Sequence, residues 1–287
     1  TSCDDTGVAL VQGTDILYEK VSSQWDTHHE FGGIVPPLAA RDHEVNLPKI
    51  LDNFLNKHGS DSFEAVAVTT GPGLAPCLRV GIHEAVKLCK ELNKPLISVN
   101  HLEGHTLVPR LQDSGLQFPY LTLLVSGGHN LLILVEGVGQ YTRLGSTKDD
   151  SIGEAFDKVA RMLELDKRNS RLHGGALVEM AAKQHDMEVN QQPFRRFPVP
   201  LRGKRTCDFS YSGLKTAVLY DVNKHGVDCS STVNSIASAF QIAATNHLEN
   251  VTRRGITWFA LHICSTFIVF YIFFILKSIG FAFCLQG

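Results

Sequence analysis

Apolar positions along this chain fall into two alternating periods. Short extended runs near residues 7–11, 65–69 and 95–99, and a pair at 119–125 and 130–135, carry Val, Leu, Ile and Ala in blocks of strand length. Between them, residues 43–55, 79–92 and 150–165 repeat apolar side chains at three- and four-residue spacing, the period of helices with one buried face. Strands alternating with helices predict an α/β fold. The paired runs around Ser126-Gly-Gly-His129 predict a hairpin closed by a glycine turn. A soft boundary near residues 115–120 divides the pattern, so the expected units are 1–118, 119–255 and an apolar tail, 256–287.

Composition narrows this picture. A chain of 287 residues has room for two lobes and a large core. A net charge of -2 gives no global nucleic-acid signature, so an RNA contact must be a local patch or come through a partner. Seven irregularly spaced cysteines without a C-x-x-C fit a reducing compartment better than a disulfide framework. The Arg- and Pro-containing stretch 195–204 reads as a surface loop, either simply solvated or touching phosphates.

Candidate chemistry lies in the turns. If His101 opens a helix, His101 and His105 share one face at i, i+4 and two neutral imidazoles can hold a Zn- or Fe-type ion; the alternative is two ordinary polar side chains after a strand. The Ser126-Gly-Gly turn is either a plain hairpin turn or a backbone cradle for an anion. Thr70-Gly-Pro-Gly-Leu74, between a strand and a helix, and the acidic opening Ser2-Cys-Asp-Asp-Thr6 are further anion- or metal-friendly corners.

Read in order, these segments carry a specific resemblance. Ser2-Cys-Asp-Asp-Thr6, Gly32-Gly-Ile-Val-Pro36, Ala39-Ala-Arg-Asp-His43, Gly71-Pro-Gly-Leu74, His101-Leu-Glu-Gly-His105, Val125-Ser-Gly-Gly-His129, Gly153-Glu-Ala-Phe-Asp-Lys158, Gly174-Gly175 and Asp208-Phe-Ser-Tyr-Ser-Gly-Leu-Lys215 are collinear. Over residues 1–250 the order resembles that of the tRNA N6-adenosine threonylcarbamoyltransferase family, also called glycoprotease or O-sialoglycoprotein endopeptidase-like. That resemblance implies an actin/Hsp70/sugar-kinase-like fold (ASKHA) of two RNase-H-like lobes. It implies transfer of threonylcarbamoyl from threonylcarbamoyl-AMP to N6 of adenosine-37 in tRNAs reading ANN codons.

By the same resemblance His101 and His105 are metal ligands for one divalent ion per subunit, Fe or Zn. Leu124, Val125, Ser126, Gly127, Gly128, Asp157, Gly175 and Glu179 are nucleotide and acyl-adenylate contacts. No single catalytic side chain is implied. The opening motif resembles the bacterial and mitochondrial branch, which implies a mitochondrial enzyme working as a homodimer.

The C-terminus departs from the family pattern. The expected C-terminal lobe gives way after Arg254 to a charge-free run, residues 256–276, so that lobe is expected to be incomplete. The run is long enough to span a membrane as a helix, or arises from a transcript or gene model read into non-coding sequence; membrane association follows only if the tail is genuine. An inactive product, retained for dimerisation or nucleotide binding, is the alternative function. A metalloprotease is disfavoured, because His101-Leu-Glu-Gly-His105 does not place the glutamate of H-E-x-x-H.

Overall fold

The computed structural model describes residues 1–28, 31, 33–165, 172–188 and 195–262, and the backbone of 270–274. The protein is α/β, and its chain divides into two compact units, Thr1–Gly115 and Leu116–Gly287.

In the first unit, β1 (Asp5–Gln12) and β2 (Asp15–Ser23) form an antiparallel hairpin. The short α1 (Trp25–His28) leads to α2 (Pro36–His58), whose Ala39, His43, Leu47, Ile50 and Phe54 bury one stripe at helical spacing. Next, β3 (Val66–Gly71), α3 (Ala75–Leu92) and β4 (Leu96–Asn100) make a βαβ unit with parallel strands. The α3 stripe of Cys77, Leu78, Gly81, Ala85 and Cys89 faces inward. A helix, α4 (His101–Leu107), begins at the residue after β4, and the short α5 (Pro109–Gln112) follows.

In the second unit, β5 (Tyr120–Val125), β6 (Asn130–Gly137), β7 (Gln140–Ser146) and β8 (Phe270–Phe274) lie in the order β7-β6-β5-β8. The first three are antiparallel neighbours, and β8 runs parallel to β5. All six residues of β5 are buried, as expected of a central strand. Among the described residues the unit has four helices: α6 (Ile152–Met162), α7 (Gly174–Glu188), α8 (Ser212–His225) and α9 (Ser230–His262). Their shared core contains Phe156, Val178, Phe209, Tyr211, Leu214 and Phe240. Phe156 and Phe240 meet edge to face, with ring centroids 4.9 Å apart.

Residues 256–276, which are long enough for a membrane helix by hydropathy, are not one continuous helix. Residues up to His262 extend α9, and Phe270–Phe274 is a strand registered from Leu121↔Phe270 to Val125↔Phe274. Among the described residues no helix is long and apolar enough to cross a membrane. The physical reason is compositional: Phe270-Tyr-Ile-Phe-Phe274 consists of aromatic and β-branched residues that favour strands. Hydropathy alone does not separate such an apolar strand from a span. The remainder of the run, 263–269 and 275–276, lies outside the described residues, as does the Gly32 motif position.

Candidate functional site

The first unit carries the histidine pair. Asn100 ends β4 and caps α4, its Oδ1 accepting from the backbone N–H of Leu102 at 2.9 Å and Glu103 at 3.2 Å. That cap starts the helix at His101, so the i, i+4 imidazoles share one face. Their Nε2 atoms are 3.1 Å apart, with ring centroids at 4.4 Å. Burial, reinforced by the neighbouring His101 ring, pushes His105 down to about 4, so it is neutral at physiological pH. Two imidazole nitrogens at that separation suit one ion bound by each at ~2.0–2.1 Å, so the pair fits a metal. Among the described residues no group of three or more His, Cys, Asp or Glu is arranged as a metal cluster.

The second unit carries the glycine turn. β5 ends in Leu124 and Val125, both buried, and the chain reverses through Ser126, Gly127 and Gly128 into β6. The Ser126 hydroxyl accepts from the N–H of Gly128 at 3.2 Å and of His129 at 2.9 Å. Two of the N–H groups that an anion cradle would offer are therefore satisfied within the turn. A Cβ at Gly127 or Gly128 would meet nothing within 4 Å, so both glycines face open space.

The turn is fixed from behind by the start of α6. Ser151 caps that helix, its hydroxyl accepting from Glu154 N at 3.2 Å and donating to the Gly127 carbonyl at 2.5 Å. The buried Asn130 side chain accepts from Ile152 N at 2.8 Å. Gly153 closes the contact: a Cβ there would sit 2.7 Å from Gly127 Cα and 3.0 Å from Ser126 O.

One turn further along α6, Asp157 faces the start of α7 and accepts the backbone N–H groups of Gly174 and Gly175. Burial pushes its carboxyl above the usual range, against the pull of Arg161 and those two N–H groups. Two predicted nucleotide residues, Asp157 and Gly175, thus bond each other across a helix N-terminus. Glu179, one turn along α7, pairs with Lys183 at 2.6 Å.

The sequence reading assigned no role to a polar cluster beside this turn. The Asp149 carboxylate accepts from the Ser210 hydroxyl at 2.5 Å, Tyr211 N at 2.7 Å, Ser212 N at 3.2 Å and the Ser212 hydroxyl at 2.8 Å. Burial raises Asp149, yet those bonds together hold it below the usual carboxylate range. Asp150 pairs with Lys215 and, at 3.0 Å, with Lys158. His247, wholly buried between the Phe209 and Tyr211 rings, accepts from Ser210 N at 3.1 Å. These partners lie up to 63 residues apart, so no local spacing reveals them. The quoted Asp208–Lys215 motif was the available signal.

The comparisons with known proteins decide the family. The model of the tRNA N6-adenosine threonylcarbamoyltransferase family matches residues 15–264. The chain belongs to this family. A probable mitochondrial tRNA N6-adenosine threonylcarbamoyltransferase of Arabidopsis thaliana is 41% identical over 272 residues, covering 90% of this chain and 55% of that protein. The tRNA N6-adenosine threonylcarbamoyltransferase of Brucella canis is 44% identical over 268 residues, covering 90% of this chain and 71% of the relative. The chain thus spans about half the length of the plant relative and under three quarters of the bacterial one. Among solved structures, an exopolyphosphatase from Cytophaga hutchinsonii aligns over 86% of this chain and 90% of its own, with 11% identity and a TM-score of 0.31. At that score the likeness adds nothing to the argument.

Proposed function

We propose that this threonylcarbamoyltransferase-family protein moves the threonylcarbamoyl group from threonylcarbamoyl-AMP to N6 of adenosine-37 in tRNAs reading ANN codons. The observation that carries this reading is the family match over residues 15–264, which spans the histidine pair, the glycine turn and the Asp149 cluster. We further propose the ASKHA arrangement for the two units, a homodimer as the working state and the mitochondrion as its location. The mitochondrial name of the plant relative supports the last of these.

An exocyclic aromatic amine is a weak nucleophile, so catalysis here rests on positioning and on stabilising charge at the departing phosphate. The open face over Gly127 and Gly128 gives the adenylate a place where no side chain intrudes. Leu124, Val125 and Ser126 set the height of that face, because β5 is buried along its whole length. Asp157 and Gly175 offer a carboxylate and a backbone group able to exchange their mutual bond for ribose hydroxyls, with Glu179 a turn along α7. A divalent ion, iron or zinc, held by His101 and His105 would supply Lewis-acid chemistry.

The experiment is direct. The purified protein is incubated with threonylcarbamoyl-AMP and unmodified tRNA, and the nucleosides are analysed for threonylcarbamoyladenosine. Product on ANN-reading tRNA and none on other tRNAs supports the reading.

A further inference from the structure

The second unit carries a basic turn that the adenylate site does not use. Residues 201–206 are tightly built for a surface segment. Lys204 N donates to the Leu201 carbonyl at 3.1 Å, across positive φ angles of 49° at Leu201 and 77° at Gly203. The Arg254 guanidinium donates to Thr206 O at 2.7 Å, and the Thr206 hydroxyl donates to Asp208 at 2.8 Å. Beyond the turn the chain joins the end of β7: Phe209 N donates to Ser146 O at 3.0 Å and Lys148 N to Phe209 O at 2.9 Å. Gly145 permits that approach, since a Cβ there would collide with the Cys207 carbonyl.

This order presents charge. Arg202, Lys204 and Arg205 are exposed, and none of the three takes part in an ion pair among the described residues. Arg143 on β7 and Lys148 just beyond it are exposed on the strand the segment runs beside. Within residues 201–209 the one carboxylate is Asp208, and Lys148 pairs with it at 3.1 Å. Cations held on an ordered backbone lose little freedom when they bind, so they suit a repeating anion. A membrane contact would need apolar side chains interleaved with the charges, and Arg202-Gly-Lys-Arg205 has none.

The location adds to this. Five residues after Arg205 comes Ser210, held by Asp149 beside the glycine turn, so the basic turn lies within roughly 18 Å of chain from that cluster. We infer that the turn of residues 202–205, with Arg143 and Lys148 alongside, is the surface that grips the phosphate backbone of the RNA substrate. This inference rests on the transfer reading and adds to it the place where the tRNA backbone lies.

The test is the salt dependence of tRNA binding. Unmodified tRNA is titrated with the protein and with the Arg202→Gln/Lys204→Gln/Arg205→Gln variant between about 50 and 200 mM salt. Each lost phosphate contact lowers the slope of log affinity against log salt by about one, so the variant should be shallower by about 2–3. At the upper end of that range it should also bind at least about tenfold more weakly. AMP affinity and melting temperature serve as controls and should not move. If the triple variant is misfolded by those controls, Arg205→Gln alone should lower the slope by about one. A slope and affinity like those of the unchanged protein, with the controls intact, overturn the inference. So does loss of binding to anionic phospholipid vesicles while tRNA binding stays. Failure of the unchanged protein to bind tRNA would overturn the transfer reading itself.

Discussion

Ser151 donates its hydroxyl to the carbonyl oxygen of Gly127 at 2.5 Å, and this bond ties the start of α6 to the glycine turn. The Ser151 hydroxyl oxygen also caps α6 by accepting from Glu154 N. Ser151→Ala removes both roles at once. A lost N-cap costs ~1 kcal/mol, and the freed turn should raise KM for the adenylate more than it lowers kcat. Thermal melting read beside steady-state kinetics checks this; a lower melting temperature with unchanged KM would show that the bond serves folding alone.

Gly153 and Gly213 make a sharper pair. A methyl group at Gly153 collides with the backbone of Ser126 and Gly127, whereas one at Gly213 meets nothing within 4 Å. Gly153→Ala should displace the turn and weaken AMP binding by about tenfold or more, a cost of ~1.4 kcal/mol. Gly213→Ala, in the first turn of α8, should be neutral or stabilise by ~0.5 kcal/mol. Calorimetric titration with AMP checks both, and equal behaviour of the two variants would contradict the turn's role.

His247 makes stability depend on pH. Burial, with the Arg254 charge second, lowers it from the ordinary 6.5 to about 4. The unfolded chain therefore binds a proton between pH 6.5 and 4 that the folded protein refuses, and stability falls as pH drops through that window. At ~1.4 kcal/mol per unit the loss over the whole window is roughly 3.5 kcal/mol. His247→Gln keeps an acceptor for Ser210 N and should flatten the fall. Burial also lowers His43 and His105, so the slope shrinks without vanishing. Urea melts at pH 7 and pH 5 measure the difference, and an unchanged fall in the variant would clear His247 of the effect.

The legible part of this molecule was local. The period of residues 43–55 and 79–92 gave the helices that became α2 and α3, and Ser-Gly-Gly between two apolar runs gave the β5–β6 hairpin. That His101 opens a helix was a condition in the sequence, and the Asn100 cap realises it. The rest depends on distance along the chain. Asp149 meets Ser210 and Ser212 across more than sixty residues, and Asp157 meets Gly174 across a segment whose length says nothing of direction. For the apolar tail hydropathy left a membrane helix and a read-through product both open, because it reports apolar character and not whether a run such as 270–274 pairs as a strand beside β5.

The histidine pair predicts linked losses. Replacing His101 and His105 with Ala should lower bound iron or zinc and activity together by about tenfold or more, leaving the fold largely intact, because both imidazoles are only partly buried. Metal analysis of the double variant decides it: unchanged stoichiometry would make the histidines structural.

The central claim is that the turn capped by Ser151 and the histidine pair serve threonylcarbamoyl transfer. Its most direct measurement is threonylcarbamoyladenosine formed on unmodified ANN-reading tRNA by purified protein supplied with threonylcarbamoyl-AMP and a divalent iron or zinc salt. The account predicts modified nucleoside at position 37, lost in the His101→Ala/His105→Ala variant and reduced by Gly153→Ala. No product under conditions where a bacterial relative modifies the same tRNA would contradict it.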